Sequence, residues 1–326
     1  MHHHTVLVTA QHLMPEAQQI LQDAGASLEF MAEPITEAVL AARLAKGDVD
    51  AVILRGSKPF TAEVLAAARG LKIIAKNGAG VDSVDLAEAA RRGITVAVAP
   101  GANADAVAEH AIALMLALVR DLHRLDRKLR RGGWEGTSWL GRDFRGSVVG
   151  ILGYGSIGRS AARLASTLGA QVVVLGSSRR READGFEMET DLDKFLQRID
   201  ILSLHCPLTE QTRGLIGRRE LALMKPGSFV VNTARGPIID EAALVEALRT
   251  NHLGGAGLDT FEVEPLAADN PLLGLDNVIL TPHVAGVTRN AALSVATITA
   301  QNVVNALAGQ ALAPGHVVSG PKPDNA

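Results

Sequence analysis

Residues 148–158 read Val148-Val149-Gly150-Ile151-Leu152-Gly153-Tyr154-Gly155-Ser156-Ile157-Gly158, and residues 159–168 continue as a helical pattern. A short aliphatic strand thus meets three glycines spaced G-x-G-x-x-G at the start of a helix. Each glycine has its own task. Gly153 permits a tight turn, Gly155 lets the backbone approach a pyrophosphate, and Gly158 lets helix and strand pack closely. The first turn of the helix points its unused amides at the anion. A glycine triplet alone also fits a structural turn. This one lies between strand and helix, with another strand pattern at 171–175, which is the context a dinucleotide site requires.

Outward from this loop the same alternation fills the chain. Short Val- and Ile-rich runs at 5–8, 51–54, 73–75, 95–98, 147–152, 171–175, 201–204, 228–232, 255–258 and 278–280 are separated by Ala/Leu helical patterns. Continuous apolar strands joined by helices indicate parallel sheets covered on both faces, so the fold class is α/β. One long helical pattern, about 105–131, divides the strands into two groups, and a second, about 289–308, follows the last strand. Asn103 or Asp105 can cap the first of these, and Gly132-Gly133 can end it. We expect a discontinuous first domain, 1–100 plus 288–326, and an inserted dinucleotide-binding domain, 101–287.

Composition narrows the function. Of 326 residues, 47% are hydrophobic and 21% charged, with a formal net charge of -3, so there is no basic footprint for nucleic acid. Aromatics are only 3%, few for stacking on bases. The single cysteine, Cys206, excludes a disulfide framework and thiolate-rich metal sites. No apolar run reaches the ~20 residues of a membrane span, and no signal-peptide pattern precedes the first strand, so the chain reads as cytoplasmic. His2-His3-His4 fit a ligand cluster, a tag remnant or native surface, and receive no role.

A dinucleotide loop that prefers NAD carries an acidic residue ~20 positions on, at the end of the next strand, to hold the ribose 2′-hydroxyl. Here the strand ends Leu175-Gly176-Ser177-Ser178-Arg179-Arg180-Arg181, with no carboxylate before Glu182. Gly176 leaves room, the serines can donate, and the arginines can pair a dianionic phosphate. The pattern favours NADP(H) over NAD(H).

Ligands of open α/β sheets bind beyond the carboxyl ends of the strands. Three such ends carry Arg235, the pair Glu262 and Glu264, and His283. Reduction of a 2-keto acid needs a hydride at the carbonyl carbon and a proton at its oxygen. His283 can supply the proton near neutral pH. A carboxylate beside it orients the ring and stabilises the imidazolium. Arg235 can hold the substrate carboxylate and polarise the carbonyl. No metal is required, and no ligand cluster is visible.

Together with Gly153–Gly158, the segments Gly78-Ala79-Gly80-Val81-Asp82, Asn103-Ala104-Asp105 through His110, His205-Cys206-Pro207-Leu208-Thr209, Met224-Lys225-Pro226-Gly227, Asn232-Thr233-Ala234-Arg235-Gly236, Asp259-Thr260-Phe261-Glu262-Val263-Glu264-Pro265 and Thr281-Pro282-His283 resemble the D-isomer-specific 2-hydroxyacid dehydrogenases over nearly the whole chain. The resemblance implies an NAD(P)-dependent dehydrogenase of two Rossmann-like domains, with the active site in the cleft between them and a homodimer built through the cofactor domains. It assigns catalysis to Arg235, Glu264 and His283, taking Glu264 rather than Glu262. It assigns cofactor contacts to Gly153, Tyr154, Gly155, Ser156, Ile157, Gly158, Ser177, Ser178, Arg179, Cys206, Pro207, Thr212, Thr233, Ala234, Arg235, Asp259, His283 and Gly286. Substrate contacts fall to Arg55, Gly56, Gly78, Ala79 and Gly80, with Arg235 and His283. His110, on a helical face with Ala106 and Leu114, reads as structural. Gly176 resembles the NADPH-preferring glyoxylate/hydroxypyruvate reductases. The chain ends near residue 326, where the long phosphoglycerate dehydrogenases continue into a regulatory domain. Arg55, Lys58 and Lys76 leave phosphoglycerate-type oxidation open. A dinucleotide-sensing protein without turnover, such as the corepressors that resemble this family, is the alternative of a different class. The substrate expected is a small 2-keto or 2-hydroxy acid, with no nucleic-acid or membrane partner.

Overall fold

The computed structural model describes residues 3–176 and 182–320. The chain divides into two compact units, one of Met1–Asn103 with Thr288–Ala326 and one of Ala104–Val287.

The second unit is built on a seven-stranded sheet in the order Val278–Leu280, Leu253–Leu258, Ser228–Asn232, Ile201–Leu204, Val148–Leu152, Gln171–Leu175, Glu187–Glu189. Every pairing is parallel. Successive residues of the strands feed opposite faces. Val173, Leu202, Leu204 and Val230 join one core, while Val172, Val174, Ile201 and Val231 join the other. Burial on both faces is why these strands are continuously apolar. Chain order reverses between Val148–Leu152 and Ile201–Leu204, so the loops after Leu152 and Leu204 diverge to form the crevice of a doubly wound sheet.

The first unit carries a six-stranded sheet in the order Val317–Ser319, Thr95–Ala97, Ile73–Lys76, Ala51–Leu54, His4–Val8, Ala26–Phe30. Only Val317–Ser319 runs antiparallel to its neighbour. The helix Arg289–Leu307 lends Ala296, Ala300 and Val303 to the core beneath Val6, Val8, Ile53 and Ile73.

The long helix expected over 105–131 is two helices, Ala104–Val119 and Leu122–Arg130. Asp121 between them sits at φ 53°, a left-handed conformation that ends the hydrogen-bond ladder, and its amide bonds to Leu118 O at 3.0 Å. Among the described residues, the apolar-run reading misses the edge strands Ala26–Phe30, Glu187–Glu189 and Val317–Ser319, and short helices such as Glu37–Leu44 and Arg218–Leu223.

Candidate active site

At the switch point Gly153 has φ 99°, and a Cβ there would stand 2.3 Å from the Cys206 amide nitrogen. No side chain fits, because the neighbouring strand is locked alongside by the His205 amide donating to Leu152 O at 2.7 Å. At Gly158 a Cβ would come within 2.0 Å of Gly153 O, which presses the helix Ser156–Thr167 onto the turn. Gly155 is different. It is exposed, and nothing lies within 4 Å of its missing Cβ. That open cradle at the start of a helix, with Ser156 beside it, fits a pyrophosphate. Tyr154 is buried, its hydroxyl within 3.1 Å of two acceptors, Ala183 O and Asp184 Oδ2, that share its one proton.

Farther along the same crevice, Cys206 is buried, and burial pushes its thiol up to about 11. It is protonated at neutral pH and unsuited to nucleophilic work. Burial likewise pushes the neighbouring His205 imidazole down to about 4, and its Nε2 meets Ser203 Oγ at 2.8 Å. The Thr212 hydroxyl donates to Pro207 O at 2.7 Å and pins the loop between them. Thr233 Oγ1 is buried without a hydrogen-bond partner among the described residues, an orphaned polar atom that fits a polar ligand. Ala234 is buried beside it, and Gly286 is partly exposed. Ser177, Ser178 and Arg179 lie outside the described residues. Gly176 is described, and a Cβ there would touch Met188 Sδ at 3.0 Å and Thr190 Cγ2 at 3.1 Å.

The three strand-end groups are prepared by their backbones. Buried Asn232 closes the turn into Arg235, its Nδ2 donating to Arg235 O at 2.9 Å and its Oδ1 accepting from the Ala234 amide at 2.9 Å. At Gly236 a Cβ would fall 1.9 Å from the Phe261 carbonyl carbon, so the Arg235 turn rests directly on the segment leading to Glu264. Glu264 Oε1 accepts from the Phe261 amide at 3.1 Å, and its Oε2 lies 2.7 Å from His283 Nδ1. Burial works to raise the Glu264 carboxyl. The hydrogen bonds from His283 and Phe261, with the charges of His283 and Arg235, bring it net below the usual carboxylate range. Glu262 is exposed and takes no part. Its amide donates to Glu241 Oε2 at 3.2 Å.

His283 itself sits at φ 54°, unusual for a residue with a side chain. Asp259, 1% exposed, holds the loop around it. Its Oδ1 accepts from the Thr281 hydroxyl at 2.6 Å and the Val284 amide at 2.9 Å, and its Oδ2 from the Ala285 amide at 2.8 Å. One ring nitrogen of His283, Nδ1, is thus committed to Glu264, and Nε2 remains to hand a proton on.

In the first unit the loops after strands Ala51–Leu54 and Ile73–Lys76 carry Arg55, Gly56, Gly78, Ala79 and Gly80. Arg55 donates to His12 O at 2.9 Å, Lys58 pairs with Glu33, and buried Lys76 donates to Gly56 O. Among the described residues, no group of three His, Cys, Asp or Glu gathers as a metal site, and no helix is long and apolar enough to cross a membrane.

Residues 112–285 match the family description "D-isomer specific 2-hydroxyacid dehydrogenase, NAD binding domain". A D-3-phosphoglycerate dehydrogenase of Archaeoglobus fulgidus is 43% identical over 263 residues, covering 80% of this chain and 50% of the relative. A glyoxylate reductase of Korarchaeum cryptofilum is 39% identical over 79% of each chain. The chain therefore spans about half the length of that phosphoglycerate dehydrogenase and about four fifths of that glyoxylate reductase. A crystal structure of a glyoxylate reductase from Paecilomyes thermophila superposes with a TM-score of 0.85 at 31% identity, over 98% of both chains.

Proposed function

The chain belongs to the D-isomer-specific 2-hydroxyacid dehydrogenases, and from that premise we propose that it reduces a small 2-keto acid, glyoxylate- or hydroxypyruvate-like, to the D-2-hydroxy acid, and runs the reverse. The observation that carries this reading is the His283–Glu264 pair at 2.7 Å, in the same unit as an open dinucleotide loop. When bound, the nicotinamide supplies or accepts the hydride. His283 gives its Nε2 proton to the carbonyl oxygen, Glu264 fixes the ring and stabilises the imidazolium, and Arg235 binds the substrate carboxylate. Gly153 to Gly158, Cys206, Pro207, Thr212, Thr233, Ala234, Asp259 and Gly286 line the cofactor in this reading. The loop amides of Gly56, Ala79 and Gly80 are substrate contacts in this reading, whereas the Gly78 amide already donates to Lys76 O at 2.9 Å.

We assign NADPH as the preferred reductant. The strand Gln171–Leu175 ends in Gly176, where the side chain of an NAD-type carboxylate would press on Met188 and Thr190. An unphosphorylated acid is favoured over phosphoglycerate because Arg55, Lys58 and Lys76 each already serve a partner within the unit. A homodimer through the second unit is favoured by Leu122, Leu129, Trp134 and Leu140, which are 54%, 57%, 82% and 92% exposed.

The test is a panel of 2-keto acids with NADPH and NADH in parallel, with the chirality of the product determined. Substitution His283→Ala is expected to lower turnover by at least ~100-fold with NADPH binding retained. Absence of turnover across the panel with either cofactor would overturn the enzyme reading in favour of a dinucleotide sensor.

A further inference from the structure

The helix Ala104–Val119 runs against the strand Leu253–Leu258 in a matched register. A Cβ on Gly255 would touch Leu118 Cδ2 at 3.1 Å, and one on Gly257 would touch Leu114 Cβ at 3.0 Å. Four helical residues advance about 6 Å and two strand residues about 6.6 Å, so each step back along the helix meets one step forward along the strand. The next step pairs His110 with Asp259. There the structure places His110 Nε2 3.0 Å from Thr281 Oγ1 and 3.8 Å from Asp259 Oδ1. The two glycines bring the helix close enough for a side chain on it to reach the loop that carries His283.

The hydrogen count fixes the direction of that contact. Thr281 has one hydroxyl proton, and it goes to Asp259 Oδ1 at 2.6 Å. Thr281 Oγ1 can therefore only accept from His110, whose Nε2 must carry a proton. The chain of donors runs His110 to Thr281 to Asp259, and Asp259 also takes the amides of Val284 and Ala285, the two residues after His283. These bonds enclose a residue held at φ 54°.

We propose that His110 is a positioning residue for His283: by donating to Thr281 it keeps that hydroxyl turned on Asp259, and the loop so held presents the His283 ring to Glu264 and the substrate. The inference rests on the dehydrogenase reading for its kinetic consequence, not for its structural one. Loss of one such bond in the chain is expected to misplace the acid rather than to empty the cofactor site.

The experiment uses the full chain as wild type, His110→Ala, His110→Gln and Thr281→Val. His110→Ala is expected to lower kcat about tenfold with NADPH Kd within about twofold of wild type. His110→Gln, whose Nε2 can donate from a similar place, is expected to recover most of that loss. A kcat of His110→Ala equal to wild type, or a glutamine variant as poor as alanine, overturns the proposal. Independently of turnover, nitrogen-15 spectra of labelled histidine in the unliganded protein are expected to show His110 protonated at Nε2. They should also show the His283 signals displaced in both His110→Ala and Thr281→Val. His283 signals unmoved in these variants refute the positioning role even in a protein for which no substrate has been found. A failed substrate panel with displaced signals refutes only the dehydrogenase reading.

Discussion

Gly155 has φ -83° and ψ -160°, backbone angles open to any residue, and free space where its Cβ would be. Alanine there should fold. At a helix N-cap the exchange costs up to about 1 kcal/mol, or a fall of no more than about 4 °C in Tm for a unit of this size. The added methyl does fill the space through which a pyrophosphate would approach the amides of the Ser156–Thr167 helix. Losing a single hydrogen bond to a charged phosphate costs about 1.5–3 kcal/mol. That corresponds to a Kd for NADPH about 10- to 150-fold weaker. Thermal unfolding and titration of NADPH fluorescence on the same Gly155→Ala preparation measure the two effects separately. A variant with unchanged Tm that binds NADPH within about twofold of wild type would refute the reading of this loop as a phosphate cradle.

Substitution Gly158→Ala should do the opposite, because its Cβ would meet Gly153 O at 2.0 Å; we expect a loss of about 1–3 kcal/mol in urea unfolding. Cys206, its thiol pushed up to about 11, should react with iodoacetamide at pH 8 roughly a hundredfold more slowly than a free thiol. Rapid stoichiometric alkylation of the folded protein would count against its burial. Glu264 is held below the ordinary 4.5, so the stabilisation it contributes is complete above that pH and is lost as the pH falls through its lowered value. The Tm of wild type should thus exceed that of Glu264→Gln near neutrality, and the gap should close in acid. A gap that widened below pH 4.5 would reverse the sign of the argument.

The central strands are legible in sequence because double-sided burial demands unbroken aliphatic runs. Val148–Leu152, Gln171–Leu175 and Ser228–Asn232 have nowhere to place a polar side chain except at their ends. The edges lack that constraint. Ala26–Phe30 carries Ser27 and Glu29, and Glu187–Glu189 is two carboxylates around Met188, so pairing with a neighbour makes these strands, not their own pattern. The break at Asp121 is equally silent, since no glycine or proline marks it. The triad of side-chain types at the strand ends could be read from position alone. Position alone left Glu262 and Glu264 both open, and the family resemblance pointed to Glu264; the backbone supplies the physical reason, with Gly236 jammed on Phe261 and the Phe261 amide turned onto Glu264. His110 reads as a packing residue from its helical face. Its second neighbour, Thr281, lies 171 residues away, and no local pattern carries that contact.

The helix Arg289–Leu307 and the strand Val317–Ser319 complete a sheet whose other strands all precede residue 104. During synthesis the first unit therefore cannot close when its N-terminal part leaves the ribosome. Val6, Val8, Ile53 and Ile73 wait without Ala296, Ala300 and Val303 while the intervening unit is made, an interval of roughly 10–40 s. The intervening unit is contiguous and has no such wait. It is free to finish first, leaving the N-terminal half as the nascent segment most in need of a chaperone.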